Sequence, residues 1–167
     1  MADRALNIVG TSISPGGQPP AESEHKIEAH VSLVERALRN IKHGDAFAVL
    51  DSYGDIGTVK ETPEGLFYHD TRYLSRFELR IEGQRPLLLS SVVHENKAAL
   101  SVDLTNPDLE IADGVRLTRD TIFLERTKFL WRGVCYERLE VRNYDTATRR
   151  FSVELIFASD FRDLFEV

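Results

Sequence analysis

From Asp45 onward, apolar side chains fall at every second position in short runs, and each run ends in residues that turn the backbone. The clearest run is Tyr73 to Ile81: Tyr73, Phe77, Leu79 and Ile81 share one face, and Arg76, Glu78, Arg80 and Glu82 share the other. That is the pattern of a half-buried antiparallel strand. Glu82-Gly83-Gln84-Arg85 predicts a hairpin turn, and Pro86 is tolerated at the start of the returning strand, Leu87 to His94. Asp45 to Leu50 is a short apolar strand closed by Asp51-Ser52-Tyr53-Gly54-Asp55, and Gly57 and Gly65 bracket the next connection. Asn96 to Leu104 alternates through Ala98, Leu100, Val102 and Leu104 and stops at Asn106-Pro107-Asp108, while Asp113-Gly114 is a further hairpin cue. Four more strands are predicted: Leu117 to Trp131, long enough to need a bend or bulge; Val134 to Tyr144; Arg149 to Ala158; and Asp160 to Val167. No proline interrupts these runs and no helical period occurs among them. The expected fold class is therefore all-β, an antiparallel β-sandwich of two packed sheets. The absence of a fixed-length repeat argues against a propeller or solenoid.

Upstream the pattern changes. Met1 to about Lys26 is poor in aromatics and contains Ser14-Pro15-Gly16-Gly17-Gln18-Pro19-Pro20, so residues 1–26 are expected to form a disordered tail ahead of a sandwich domain covering 27–167. Between Ile27 and Ile41 the apolar positions fit a helix, yet Val31 and Leu33 also alternate as in a strand, and periodicity leaves both open.

At 167 residues, 42% hydrophobic and 29% charged, the chain can bury one ordinary core. Its net charge of −6, with both signs mixed along the strands, lacks the basic stripe that a nucleic acid partner requires. No apolar run reaches the roughly 20 residues that span a bilayer, and the N-terminus lacks the basic start and apolar core of a secretory signal. No membrane partner and a cytoplasmic location are expected. The single Cys135 fits a reducing compartment and, sharing a strand face with Leu139 and Val141, is expected to be a small buried hydrophobe.

Catalytic signatures are missing: no Gly-x-Ser-x-Gly elbow, no phosphate-cradling glycine loop, no His-Glu-x-x-His pair. The five histidines, His25, His30, His43, His69 and His94, are scattered, so no metal and no cofactor is expected. Glu78, Glu125, Glu137, Glu140 and Glu154 alternate with apolar residues and are expected on solvated or interface faces. Asp51 and Asp55 flank Tyr53-Gly54, where turn capping is the ordinary role. Tyr68-His69-Asp70-Thr71-Arg72-Tyr73 gathers hydrogen-bonding groups and two phenols at a loop-to-strand junction. Such a set suits a sugar, whose apolar face packs on aromatics while its hydroxyls meet charged groups; an internal Asp70 to Arg72 pair that fixes the turn is the alternative. Trp131, the sole tryptophan, sits in the turn Leu130-Trp131-Arg132-Gly133 and is expected to be buried in the core or at an interface.

His43-Gly44-Asp45 with Phe47, Tyr53-Gly54-Asp55-Ile56, Gly65-Leu66-Phe67-Tyr68, Asp70-Thr71-Arg72-Tyr73-Leu74-Ser75, Val102-Asp103-Leu104-Thr105-Asn106-Pro107-Asp108 and Asp160-Phe161 follow one another along the chain. Taken in that order, the string resembles the N-terminal domain of bacterial glycogen debranching enzymes of the amylo-α-1,6-glucosidase type, over roughly Val31 to Val167. The resemblance implies a non-catalytic β-sandwich preceding an (α/α)6 catalytic toroid in the same polypeptide. The toroid would carry both carboxylates for hydrolysis of α-1,6-glucosidic branch stubs. This chain closes on Phe165-Glu166-Val167, about where that sandwich hands over to its linker, so a domain of a longer protein is implied and no residue here is assigned a catalytic role. Thr71-Arg72 is similar to a motif that lies close to the toroid's substrate cleft in related enzymes. Asp70, Thr71, Arg72, Tyr73 and Asp55 are thus the candidates for the cleft or the domain interface. The expected partners are the downstream catalytic domain and an α-glucan, with self-association of the isolated chain through an uncovered apolar patch. A stand-alone α-glucan-binding module is the competing reading. A small sandwich enzyme such as a sugar epimerase is a third, and would have to use His69.

Overall fold

The computed structural model describes residues 37–58, 62–111 and 114–167, all in the unit Val31–Val167. The predicted tail and most of the Ile27 to Ile41 segment lie outside the described residues. Twelve strands follow in order: β1 (Arg39–His43), β2 (Ala46–Leu50), β3 (Gly65–Tyr68), β4 (Thr71–Leu74), β5 (Arg76–Ile81), β6 (Leu87–Val93), β7 (Ala99–Thr105), β8 (Leu109–Ile111), β9 (Val115–Leu117), β10 (Ile122–Trp131), β11 (Val134–Asn143) and β12 (Val153–Ala158). The expected all-β, antiparallel sandwich is the fold. One sheet has the order β1-β2-β3-β4, the other β11-β10-β7-β6, and β5 pairs with β12 and β8 with β9.

The β5–β12 ribbon extends the first layer. Ser75 N–H bonds Ala158 O at 2.9 Å, Arg72 N–H bonds Arg162 O at 2.9 Å, and Ile56 bridges Phe77. The predicted single strand Tyr73 to Ile81 is therefore broken at Ser75 into β4 and β5. The expected β5–β6 hairpin also takes another form. Glu82 and Gly83, with φ of 47° and 71°, reverse the chain, but β6 then pairs with β7 in the other layer, so this turn carries the chain between sheets. Leu117 to Trp131 divides at 118–121 into β9 and β10. Of the predicted strand Asp160 to Val167, the bridge Thr71↔Asp163 is realised, and Leu164–Glu166 form a 3₁₀ turn capped by the Asp163 carboxylate.

Alternation explains the core. Ile41 of β1 and Ala46, Ala48 and Leu50 of β2 pack toward Leu100, Val102 and Leu104 of β7 and Leu124 and Leu130 of β10, with Phe77, Leu79 and Ile81 of β5 joining them. Asn106, fully buried where β7 ends, donates to Pro107 O and Thr118 O and accepts from Thr121 N–H and Ile122 N–H, replacing the ladder that the crossover interrupts.

On β12 the register leaves an imbalance. Val153, Leu155 and Phe157 lie opposite Ile81, Leu79 and Phe77, so the two rows share one face of the ribbon. The β5 row is at most 7% exposed, whereas Val153, Leu155 and Phe157 are 41%, 46% and 57% exposed. Among the described residues, nothing covers the core face of this strand to the depth that covers β5.

Candidate functional site

The hairpin between β3 and β4 turns on His69 and Asp70, both left-handed (φ 46° and 60°) between the paired residues Tyr68 and Thr71. Such a two-residue turn matches the right-handed twist of the strands it joins. The first turn of the 160s segment docks on it, with Leu164 N–H donating to Asp70 O at 2.7 Å.

Because side chains alternate, the hairpin sends neighbouring residues to opposite sides. Arg72 turns inward, 8% exposed, and lays its guanidinium fork on Asp160: Nε meets Oδ1 at 3.0 Å and Nη2 bonds Oδ2. Asp160, eighty-eight residues away in sequence, therefore takes the place of Asp70 as the partner of Arg72. The Arg72 hydrogen bond holds the Asp160 carboxyl below the usual carboxylate range. Beside this pair lies a cleft of about 630 Å³, bordered by Gly57, Thr58, Glu64, Arg162 and Glu166. Burial pushes the Glu64 carboxyl up, even though it accepts the Gly57 N–H at 2.6 Å.

Tyr73 points to the other side and is 45% exposed, its ring perpendicular to Phe161 at 5.8 Å. Tyr68 lies 6.4 Å from Tyr73 and stacks edgewise on His69 at 4.2 Å. A second, apolar cleft of about 280 Å³ opens beneath these phenols, with Leu66, Leu130, Gly133 and Cys135 in its walls. Trp131, on the β10–β11 hairpin that supplies Leu130 and Gly133, is 51% exposed and packs on His43 at 4.6 Å, so the expected core burial is corrected. Arg132 and Gly133, both with positive φ, make room for this outward turn.

Asp55 lies apart from the hairpin. It is 1% exposed and belongs to a buried ionic network. Asp51 Oδ1 accepts the N–H groups of Tyr53 and Asp55 at 2.9 Å each, the capping role expected of it. Arg85 bonds Asp51 and reaches Asp55 Oδ2 at 3.1 Å, stacked 3.7 Å above the Tyr53 ring. Asp55 Oδ1 takes Arg126 Nη1 at 2.5 Å and Leu79 N–H at 3.1 Å. Arg126 Nε continues to Glu137 Oε1 at 2.8 Å, and Lys128, which sits 3.6 Å over the Phe77 ring, bonds the other Glu137 oxygen. Three cations thus balance three carboxylates. Burial pushes the Asp55 carboxyl up against the pull of Arg126. Burial and the neighbouring Arg126 charge bring Lys128 down to about 8, against the pull of Glu137.

Arg126, Lys128 and Glu137 escape a search for functional motifs, and Glu137, expected on a solvated or interface face, turns into the network. The signal lay in parity: Arg126 and Lys128 occupy the same alternating positions as Leu124 and Leu130, which puts both cations on the core face of β10. Glu78, on the face of β5 opposite Phe77 and Leu79, is held by Arg76 at 2.7 Å and Arg80 at 2.9 Å and is only 8% exposed, so its expected solvated face is corrected as well.

Removing the partner of Arg72 has a definite expected result. Asp160→Ala should lower the unfolding free energy at pH 7 by about 1–3 kcal/mol, because it leaves a buried guanidinium without its anion. Since the folded-state pKa of Asp160 is depressed, this stabilisation is complete above the unfolded value of about 3.9 and is lost as pH falls through the lower folded value. Urea titrations of both proteins should give a constant difference between pH 7 and about 5 and a shrinking one below about 4. A difference unchanged at acid pH would exclude the ion pair as its source.

Among the described residues, no group of three or more His, Cys, Asp or Glu side chains converges as a metal site would, and no helix is long and apolar enough to cross a membrane. The family model for the N-terminal domain of some glycogen debranching enzymes matches residues 41–167. No curated protein and no solved structure gives a significant match.

Proposed function

This chain belongs to the family of N-terminal domains of some glycogen debranching enzymes, and on that premise we propose that it is a non-catalytic docking domain. Its partner is a catalytic (α/α)6 domain of the same polypeptide, which hydrolyses α-1,6-glucosidic linkages and whose substrate cleft the sandwich helps to shape. The observation that carries the proposal is the uncovered core-side row of β12. Three apolar residues in register with the most buried strand of the ribbon are 41–57% exposed, and a row of that kind wants a partner surface. Arg72 then acts by position. Clamped by Asp160, it holds the β3–β4 hairpin against the segment that leaves β12, and so fixes Asp70, Thr71 and Tyr73 at the rim of the shared cleft. Asp55 serves from further back, anchoring the β2–β3 loop to the core.

The test is association. A catalytic (α/α)6 domain from a glycogen debranching enzyme, supplied in trans, should bind this chain, and the chain alone should self-associate at high concentration through the same row. Val153→Glu and Leu155→Glu should weaken both by at least about tenfold, the effect of some 1.4 kcal/mol, while the circular dichroism spectrum is retained. A chain that stays monomeric, binds no apolar dye and ignores the catalytic domain would overturn the docking role. The competing reading, an α-glucan-binding module, draws support from the aromatic residues around the smaller cleft.

A further inference from the structure

We propose that the free edge of β11 is a dimerisation edge, which pairs antiparallel with β11 of a second copy of this chain around a two-fold axis at Leu139. Among the described residues β11 pairs only with β10, in an unbroken register from Trp131↔Val134 to Ile122↔Asn143. One bond fixes the direction of its spare backbone groups. Leu130, opposite Cys135, gives its N–H to Ala98 O at 2.9 Å, away from β11. Leu130 and Cys135 therefore form a non-hydrogen-bonded pair, and the N–H and C=O groups of Cys135, Glu137, Leu139, Val141 and Asn143 point to the free edge. At the opposite edge of the same sheet, β6 is 7 residues long and its register shifts between Leu88 and Ser90. β11 is 10 residues long and carries neither bulge nor proline. A long, regular edge is a template for another strand.

The side chains select a second copy as the occupant, and a single register. With Leu139 on the axis, Arg138 lies opposite the partner's Glu140, Tyr136 opposite the partner's Arg142, and Val134 opposite the partner's Tyr144. All of these are on the outer face of the sheet, and Val134, Tyr136, Arg138, Arg142 and Tyr144 are exposed. Arg138 and Glu140 already pair within each chain, so four charges of alternating sign meet across the axis. Tyr136, stacked on Phe129 at 4.7 Å, offers its other face to a guanidinium. On the inner face Leu139 meets itself, and Glu137 lies opposite Val141 with its charge already taken up by Arg126 and Lys128. Other registers put like charges together. An axis at Arg138 sets that residue against itself, and an axis at Glu140 sets Glu140 against itself and Arg138 against Arg142. Backbone bonds and apolar contacts carry the affinity, and the charges fix the register. Two four-stranded sheets would thereby join into one of eight strands.

The experiment uses the whole 167-residue chain, followed by amide hydrogen exchange and analytical ultracentrifugation. Between micromolar and millimolar protein, exchange at Glu137, Leu139 and Val141 should slow at least about tenfold, and by more than at Arg138 and Glu140, whose N–H groups already face β10. Arg138→Glu and Glu140→Arg should each weaken dimerisation at least about tenfold. Their equimolar mixture should restore it, because each like-charge contact then becomes an opposite one. Both substitutions are on the outer face, and circular dichroism verifies that the fold is kept. Leu155→Glu reads the row on β12 separately and should leave the concentration dependence at Glu137, Leu139 and Val141 in place, so failure of this edge and failure of the docking role are distinguishable. Exchange at those three amides that does not vary with concentration in the unmodified chain would overturn the proposal. A mixture of the two charge variants that associates no more tightly than either alone would overturn the pairing around Leu139.

Discussion

Arg126→Met is expected to lower the unfolding free energy by about 3–5 kcal/mol, a large share of the roughly 5–15 kcal/mol that holds a domain together. The guanidinium is 0% exposed and lies between Asp55 Oδ1 and Glu137 Oε1, so its removal leaves two carboxylates facing each other in the core with Arg85 and Lys128 as their remaining counter-ions. Arg126 also ties the β2–β3 loop through Tyr53 O at 3.0 Å, so the loop should loosen as well. Lys128→Met should cost less. Burial already disfavours the Lys128 charge, and Glu137 keeps Arg126 when the amine is gone. Urea unfolding followed by circular dichroism measures both. Near-equal losses, or an Arg126→Met protein within about 1 kcal/mol of wild type, would mean that the network does not organise the core.

The second large effect concerns Gly57. This residue has φ of 67°, and a Cβ built on it would lie 2.1 Å from the carbonyl oxygen of Ser75, a backbone atom at the point where β4 breaks into β5. Nothing there can rotate away. Gly57→Ala should therefore cost on the order of 3 kcal/mol, the left-handed backbone and the overpacking adding together. Gly44→Ala is the control: φ is 61°, yet nothing lies within 4 Å of the added methyl, so backbone strain alone should cost about 1 kcal/mol. The two variants unfolded side by side separate space from conformation. Equal losses would show that the close approach to Ser75 is absent.

The layers were legible in the sequence because alternation is a local property. Leu100, Val102 and Leu104, or Phe77, Leu79 and Ile81, announce their burial without reference to any other segment. Pairing was harder, because a turn such as Glu82-Gly83 reverses the chain whether the next strand returns beside it or crosses to the other sheet. The closing segment misled for a related reason. Phe161 and Phe165 look like strand residues, but Leu164–Glu166 wind into a 3₁₀ turn under the Asp163 cap. At the candidate site, the residues of the Tyr68 to Tyr73 hairpin were visible as a cluster, but their division between an ion-paired side and an aromatic side was not. That division depends on Asp160 and Phe161, which only the completed fold brings to the hairpin. The buried cations were hidden by habit: Arg126 and Lys128 follow the apolar rhythm of β10, and charge alone suggests an outward orientation.

The bare row on β12 has a further consequence for biosynthesis. On the docking role proposed above, the sandwich would leave the ribosome first, and at roughly 5–20 residues per second its later companion would emerge only after many seconds. During that interval Val153, Leu155 and Phe157 form a sticky strip on an outermost strand, the kind of surface on which nascent chains cross-associate and to which chaperones bind.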